Sequence, residues 1–172
     1  DVERTVRAAD PASADGDQME AKLALQRELR AVQGSCLWYS AAVVRNEGGY
    51  ATRLQQRYHA RPALQPLYPF LDDKAPRAPR QLKARWMPDG YYLFWLAPKA
   101  RQEADRAHQY AFYAFNQGEK IDLSSAEHLV GITRHTLYKL PYVNGAEKCV
   151  YVVTALDRLH NESKPSKAKV KL

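Results

Sequence analysis

Cysteine is scarce in this chain, with Cys36 and Cys149 the two thiols in 172 residues. Two thiols so far apart cannot form a disulfide framework, and neither sits in a CxxC or Cys/His pattern with metal-ligand spacing. They read as buried thiols that say nothing about compartment. Long apolar runs are also missing, and none approaches the roughly 18 residues that a membrane span requires. The opening residues Asp1-Val-Glu-Arg-Thr-Val-Arg7 lack the apolar stretch of a secretory signal. With no initiator Met, they read as the start of a mature or truncated product. No Gly-rich phosphate loop, HExxH helix or Ser-His-Asp spacing occurs. His108, His128, His135 and His160 show no i, i+4 pairing. The expectation is therefore no cofactor and no metal.

What is present suits a packed protein. A hydrophobic fraction of 45% against 26% charged residues excludes global disorder. The net charge of +7 raises the question of nucleic acid, yet Lys and Arg are spread along the chain rather than gathered on one element. The densest group, Lys164, Lys167, Lys169 and Lys171, alternates like the solvated face of a terminal strand and discourages edge pairing. No nucleic-acid partner is expected.

Three zones follow one another along the chain. Residues 1–16 are small and polar and read as loop. Asp17-Gln-Met-Glu20 fits a capping-box start for a helix running to about Gln33, with Gly34 as its stop. Met19, Leu23, Leu25, Leu29 and Val32 supply its apolar positions. Met19, Leu23, Leu29 and Val32 are expected to be buried against the rest of this segment or a second copy of the chain. Cys36 to Ser40 reads as a buried strand, Asn46 to Gly49 as a turn, and Tyr50 to Tyr58 as a helix. That is helix, strand, helix, the grammar of a parallel α/β unit, over residues 1–61. Residues 62–75 form a linker: Pro62, Pro66 and Pro69, with Pro76 and Pro79 beyond, remove donors and block helix. Tyr68 and Phe70 are expected to hold it to a surface. From Pro79 the period becomes two, and turn signals separate about seven short strands over 76–172, an all-β sandwich. The fold class is thus α+β, with Leu93, Trp95, Phe112, Tyr151 and Val153 as the inward residues of the sandwich.

Leu93-x-Trp95-x-x-Pro98, Tyr110-x-Phe112-Tyr113, Tyr151-x-Val153-x-Ala155-x-Asp157 and Asn161-Glu-Ser163-x-Pro-Ser166 resemble a fibronectin type III domain. One position departs: the family's corner Tyr, six residues before Ala155, is Cys149 here. Gly34-Ser-Cys-Leu-Trp-Tyr-Ser40, Tyr68-Pro-Phe-Leu-Asp-Asp73, Gly118-Glu-Lys-Ile-Asp122 and Thr154 to Ser163 resemble the C-terminal end of glycosyl-hydrolase-like family 10 lipoproteins of the YddW type. That resemblance implies that residues 1–61 are the last helix, strand and helix of a TIM barrel, followed by the fibronectin-like sandwich. It implies an upstream barrel as partner and a polysaccharide or peptidoglycan-type glycan as target. It also implies a periplasmic or outer-membrane location, with membrane contact only through a lipid anchor on the parent.

Glycoside hydrolysis needs two carboxylates facing one another across the sugar. Asp10, Asp15, Asp17, Glu20, Asp72 and Asp73 read as capping, linker or solvated acids. The resemblance puts the family's acid and base on earlier barrel strands, so no catalytic residue is assigned. Barrel strands present substrate groups at their C-terminal ends, which makes Trp38, Tyr39 and Ser40 candidates for sugar contact. Trp86 and Tyr91-Tyr92 flank a turn and form a second candidate platform. Asp157, Asn161 and Glu162 read as an Asx-stabilised turn. The expected role is an accessory part that supports a glycoside hydrolase barrel; the alternative is a carbohydrate-binding module that uses exposed aromatics.

Overall fold

A computed structural model describes residues 18–32, 34–37, 40–140, 149–166 and 170–171. The chain divides into two compact units, Asp1–Ala60 and Arg61–Leu172.

The described part of the first unit is helical. Helix α1 (Gln18–Glu28) is followed by α2 (Ser40–Val44), a 3-10 turn at Glu47–Gly49, and α3 (Tyr50–Arg53), which widens into a π turn at Leu54–Tyr58. Asn46 (φ 53), Gly48 (φ 57) and Gly49 (φ 70) make the left-handed reversal between α2 and α3. The Asn46 side chain secures it by accepting from the Thr52 backbone N–H at 3.1 Å. Among the described residues the core of this unit gathers Met19, Ala42, Tyr50 and Leu54, with Leu23, Leu37, Val43 and Tyr58 against them.

Several expectations change here. The helix ends at Glu28, five residues short of Gln33. Of its apolar positions, Met19 and Leu23 enter the core, whereas Leu25, Leu29 and Val32 are exposed. On α1 Leu25 turns away from the side of Met19 and Leu23, and Leu29 and Val32 lie beyond its last residue. The strand expected at Cys36–Ser40 does not form among the described residues: Cys36 and Leu37 are irregular and Ser40 opens α2. An isolated strand would leave its N–H and C=O groups without a ladder partner. The helix–strand–helix remnant of a barrel is therefore not seen. Cys36, expected to be buried, is exposed. Asp17 lies outside the described residues. Glu20, read as its capping-box partner, instead takes Arg53 Nε at 2.8 Å and Arg57 at 2.5 Å, clamping α1 to the α3 turn.

The second unit holds two antiparallel sheets. β1 (Arg80–Met87), β2 (Gly90–Leu96) and β5 (Leu137–Lys139) form one, in the order β1-β2-β5. β3 (Gln109–Asn116), β4 (Leu129–Thr133), β6 (Cys149–Leu156) and the two-residue β7 (Val170–Lys171) form the other, in the order β4-β3-β6-β7. The described residues thus hold six strands of three or more residues and one short pairing, against about seven expected. The alternation beyond Pro79 is read correctly as strands and turns over the described residues, while Lys167 and Lys169 lie outside them. Met87 pairs with Gly90, so Pro88 and Asp89 make the hairpin turn. Gly90 takes φ 143, and a Cβ there would lie 2.9 Å from Lys139 Cε, so glycine is required.

Leu82, Leu93, Trp95, Tyr110, Phe112, Tyr151, Val153 and Ala155 join both sheets in one core, including all five residues expected to point inward. Phe112 lies against Tyr138 with ring centroids 3.7 Å apart. Its ring also crosses Gly131, where a Cβ would come within 2.5 Å of Phe112 Cζ. The opposite face of the four-stranded sheet is also covered: Ala111, Tyr113, Phe115, Leu129, Val152 and Leu156 pack with Leu64, Ile121 and Leu123. This explains why β6 is buried along nearly its whole length rather than at alternate positions.

The proline-rich segment is attached, though not by its aromatics. Leu64 joins the core, Arg61 reaches the Glu127 carbonyl, and the Asp72 carbonyl accepts from Asn161 Nδ2 at 3.1 Å. Tyr68 and Phe70 stay exposed, in edge contact with each other at 6.0 Å.

Position 149 carries a thiol, and the end of β6 is tied by other means. Asp157 Oδ1 accepts from the N–H groups of Leu159 (2.8 Å) and Asn161 (3.0 Å), and Oδ2 accepts from Asn161 Nδ2 at 3.0 Å, the Asx turn read from the sequence. The chain then runs back beside β6. Ser163 Oγ accepts from Ala155 N–H at 2.9 Å and Ser166 Oγ from Val153 N–H at 3.3 Å. The Ser163 and Ser166 N–H groups donate to the Ala155 and Val153 carbonyls at 2.9 and 2.8 Å. Ser163→Ala strands a buried backbone donor, so it should lower stability by about 1–3 kcal/mol. Urea unfolding should show a lower midpoint with an unchanged slope.

Candidate functional site

The acids come first, since hydrolysis would need them. Glu20 is held by Arg53 and Arg57. Asp72 accepts the Lys74 N–H at 3.0 Å. Glu119 meets His128 Nε2 at 3.0 Å, and Asp122 accepts from the Ser124 N–H at 2.9 Å. Those Ser124 hydrogen bonds hold the Asp122 carboxyl below the usual carboxylate range. Asp105 is buried beside Gln102, and Asp157 is consumed by its turn. Asp10, Asp15 and Asp17 lie outside the described residues. Among the described residues no cluster of three or more His, Cys, Asp or Glu has metal-holding geometry.

Glu162 joins a part-buried network of side chains. Its Oε1 accepts from Tyr113 Oη at 2.6 Å and from Thr154 Oγ1 at 2.7 Å. Burial, then the Glu162 carboxylate, push the Tyr113 phenol well above its ordinary value. This joins β3, β6 and the returning chain.

The candidates named from sequence separate in space. Trp38 and Tyr39 lie outside the described residues, and Ser40 is exposed at the start of α2. Trp86 and Tyr92 do not form one platform. In an antiparallel pair, directly opposed residues share a face and neighbours along the strand alternate. Trp86 opposes Tyr91, with ring centroids 5.2 Å apart, and Tyr92 opposes Arg85. Trp86 and Tyr91 therefore lie on the inward side, where Tyr91 packs against the core and Trp86 is 61% exposed. Tyr92 lies on the outward face.

That outward face is ordered in two rows across the three strands: Lys83–Phe94–Leu137 and Arg85–Tyr92–Lys139. Tyr92 and Phe94 are half-buried, 6.1 Å apart and tilted by 31°. Lys139 Nζ reaches Asp89 Oδ2 at 3.0 Å, and Tyr92 Oη donates to the same oxygen at 2.8 Å. These two bonds hold the Asp89 carboxyl below the usual range, and Asp89 in turn raises Lys139. Lys83 and Arg85 have no acidic partner among the described residues. A shallow groove of ≈ 220 Å³ lined by Gln81, Lys83, Arg85, Phe94, Trp95 and Leu96 runs along β1. The period-two pattern already placed Lys83 and Arg85 outward. Phe94 and Lys139 went unremarked because their position depends on strand pairing. A second depression of ≈ 390 Å³, lined by Leu71, Asp72, Gln102, Ala104, Asp157, Arg158 and Leu159, sits where the proline-rich segment meets the Asx turn.

No family model matches the chain. It is 30% identical over 166 residues to the glycosyl hydrolase YngK of Bacillus subtilis (strain 168), covering 94% of this chain and 31% of that protein. The chain thus spans less than a third of that relative. Among solved structures it is similar to a Fn3-like protein from Clostridium thermocellum, with TM-score 0.41 and 23% identity over 58% of this chain and 93% of that one. It is also similar to titin kinase and its flanking domains, with TM-score 0.42 and 21% identity over 56% of this chain and 17% of that one.

The Tyr113 network predicts an alkaline limit. The folded protein holds the phenolic proton more tightly than the unfolded chain, so this contribution to stability is intact below about pH 10 and is lost as pH rises beyond it. Tyr113→Phe should flatten the fall of stability above that pH, as read by urea midpoints across an alkaline series.

Proposed function

We propose that this chain is the accessory part of a longer glycan-hydrolysing protein, in which it supports the catalytic domain rather than performing the chemistry. The observation that carries this is the coverage of the glycosyl hydrolase relative: nearly all of this chain aligns, to less than a third of that protein. Leu25, Leu29 and Val32, in and just after α1, are exposed apolar side chains that an upstream domain could cover. On this reading the residues before Arg61 complete an upstream domain, and the sandwich follows as a brace. The engagement of Glu20, Asp72, Asp122 and Asp157 by arginine, serine or backbone donors supports a non-catalytic role.

A second reading, carbohydrate binding through exposed aromatics, is favoured by Trp86, whose ring stands out beside Tyr91.

The purified chain should release no reducing sugar from a panel of neutral and acidic polysaccharides. Release that scales with chain concentration and survives repurification would overturn the accessory reading.

A further inference from the structure

The outer face of β1-β2-β5 has a composition that the core does not explain. Sheet faces that only meet water carry charged and small polar residues. This one places two aromatic rings on its central strand and cations on the strands at either side. Of its charged groups, Lys83, Arg85 and Lys139 are basic and Asp89, in the turn, is acidic. Asp89 is already balanced by Lys139. The face is therefore positive along β1, beside the groove of ≈ 220 Å³.

We infer that this face binds an acidic polysaccharide, a glycan whose sugar units carry carboxylates. Tyr92 and Phe94 offer two half-exposed rings of similar orientation, 6.1 Å apart, on which successive sugar rings can lie through their C–H faces. Lys83 and Arg85 stand one strand away, at the level of Phe94 and Tyr92 respectively, where each meets a carboxylate on a sugar stacked on its neighbour. The Asp89 bond fixes the Tyr92 hydroxyl, and Lys139 sits 5.9 Å from the Tyr92 ring, so that ring is held ready rather than ordered on binding. A nucleic acid would match the charge, but two rings on one strand suit a short stacked register and the face lacks the long basic track that a phosphate backbone follows. The inference rests on the reading of the chain as part of a glycan-acting protein.

Affinity electrophoresis of the full chain tests it, with polygalacturonate or neutral dextran in the gel. Retardation is expected with polygalacturonate and not with dextran, reduced but not abolished by salt. Tyr92→Ala/Phe94→Ala should weaken it at least about tenfold, with circular dichroism reporting the fold. Should that variant fail to fold, Lys83→Glu/Arg85→Glu, which alters exposed side chains only, should remove the retardation. No retardation, equal retardation by dextran, full affinity in the folded variant, or displacement by DNA as effective as by polygalacturonate would each overturn the assignment. Absence of binding leaves the accessory reading standing, whereas sugar release by the chain defeats that reading and leaves this surface in place.

Discussion

The second unit depends on how β6 is satisfied. That strand is buried on both faces, and β3 takes one of its edges, so its remaining N–H and C=O groups must find partners without water. A regular neighbouring strand would supply them, but the returning chain carries Pro165, which has no N–H and interrupts a ladder. Ser163 and Ser166 solve this by using their hydroxyls where carbonyls would stand, while their own N–H groups complete the exchange. The Asx turn at Asp157 is what aims the chain back along β6, and Asn161 in that turn also holds the Asp72 carbonyl. One strand edge therefore governs the turn, the return and the anchoring of the proline-rich segment.

The two sheets consequently differ in what they can offer. The four-stranded sheet is covered on both sides, by the facing sheet and by Leu64, Ile121 and Leu123, so its residues are committed to packing. The three-stranded sheet gives one face to the core and leaves the other open. Tyr92 and Phe94 sit on that open face because β2 alternates strictly: Leu93 and Trp95 must point inward, so their neighbours must point out. The candidate surface follows directly from the packing of the core.

Local signals made much of this legible. The turn at Pro88-Asp89, the alternation of β2, the inward set around Trp95 and Phe112, and the Asx turn at Asp157 are each fixed by a few adjacent residues. What failed depended on partners. Cys36 to Ser40 is apolar and aromatic enough for a strand, but a strand is a pairing, and the described residues offer none. Leu29 and Val32 match helical spacing with Leu25, but the helix stops at Glu28, so a count of apolar residues carried the stripe past the end of the element. Trp86 and Tyr92 looked like one platform because the register that sends them to opposite sides is set by the hairpin. The same dependence hid Phe94 and Lys139. Trp38 and Tyr39 lie outside the described residues.

A half-open sheet also has a lateral rim, and here the rim is blunted. β1 is kinked near its start, where Gln81 adopts φ 52 and the pairing slips between Arg80 and Lys83. At the far side β5 spans Leu137–Lys139, only three residues. A neighbouring molecule seeking to extend the sheet would meet a bent backbone on one flank and too short a template on the other. The sheet can thus keep Tyr92 and Phe94 half-exposed without inviting ribbon-like self-assembly.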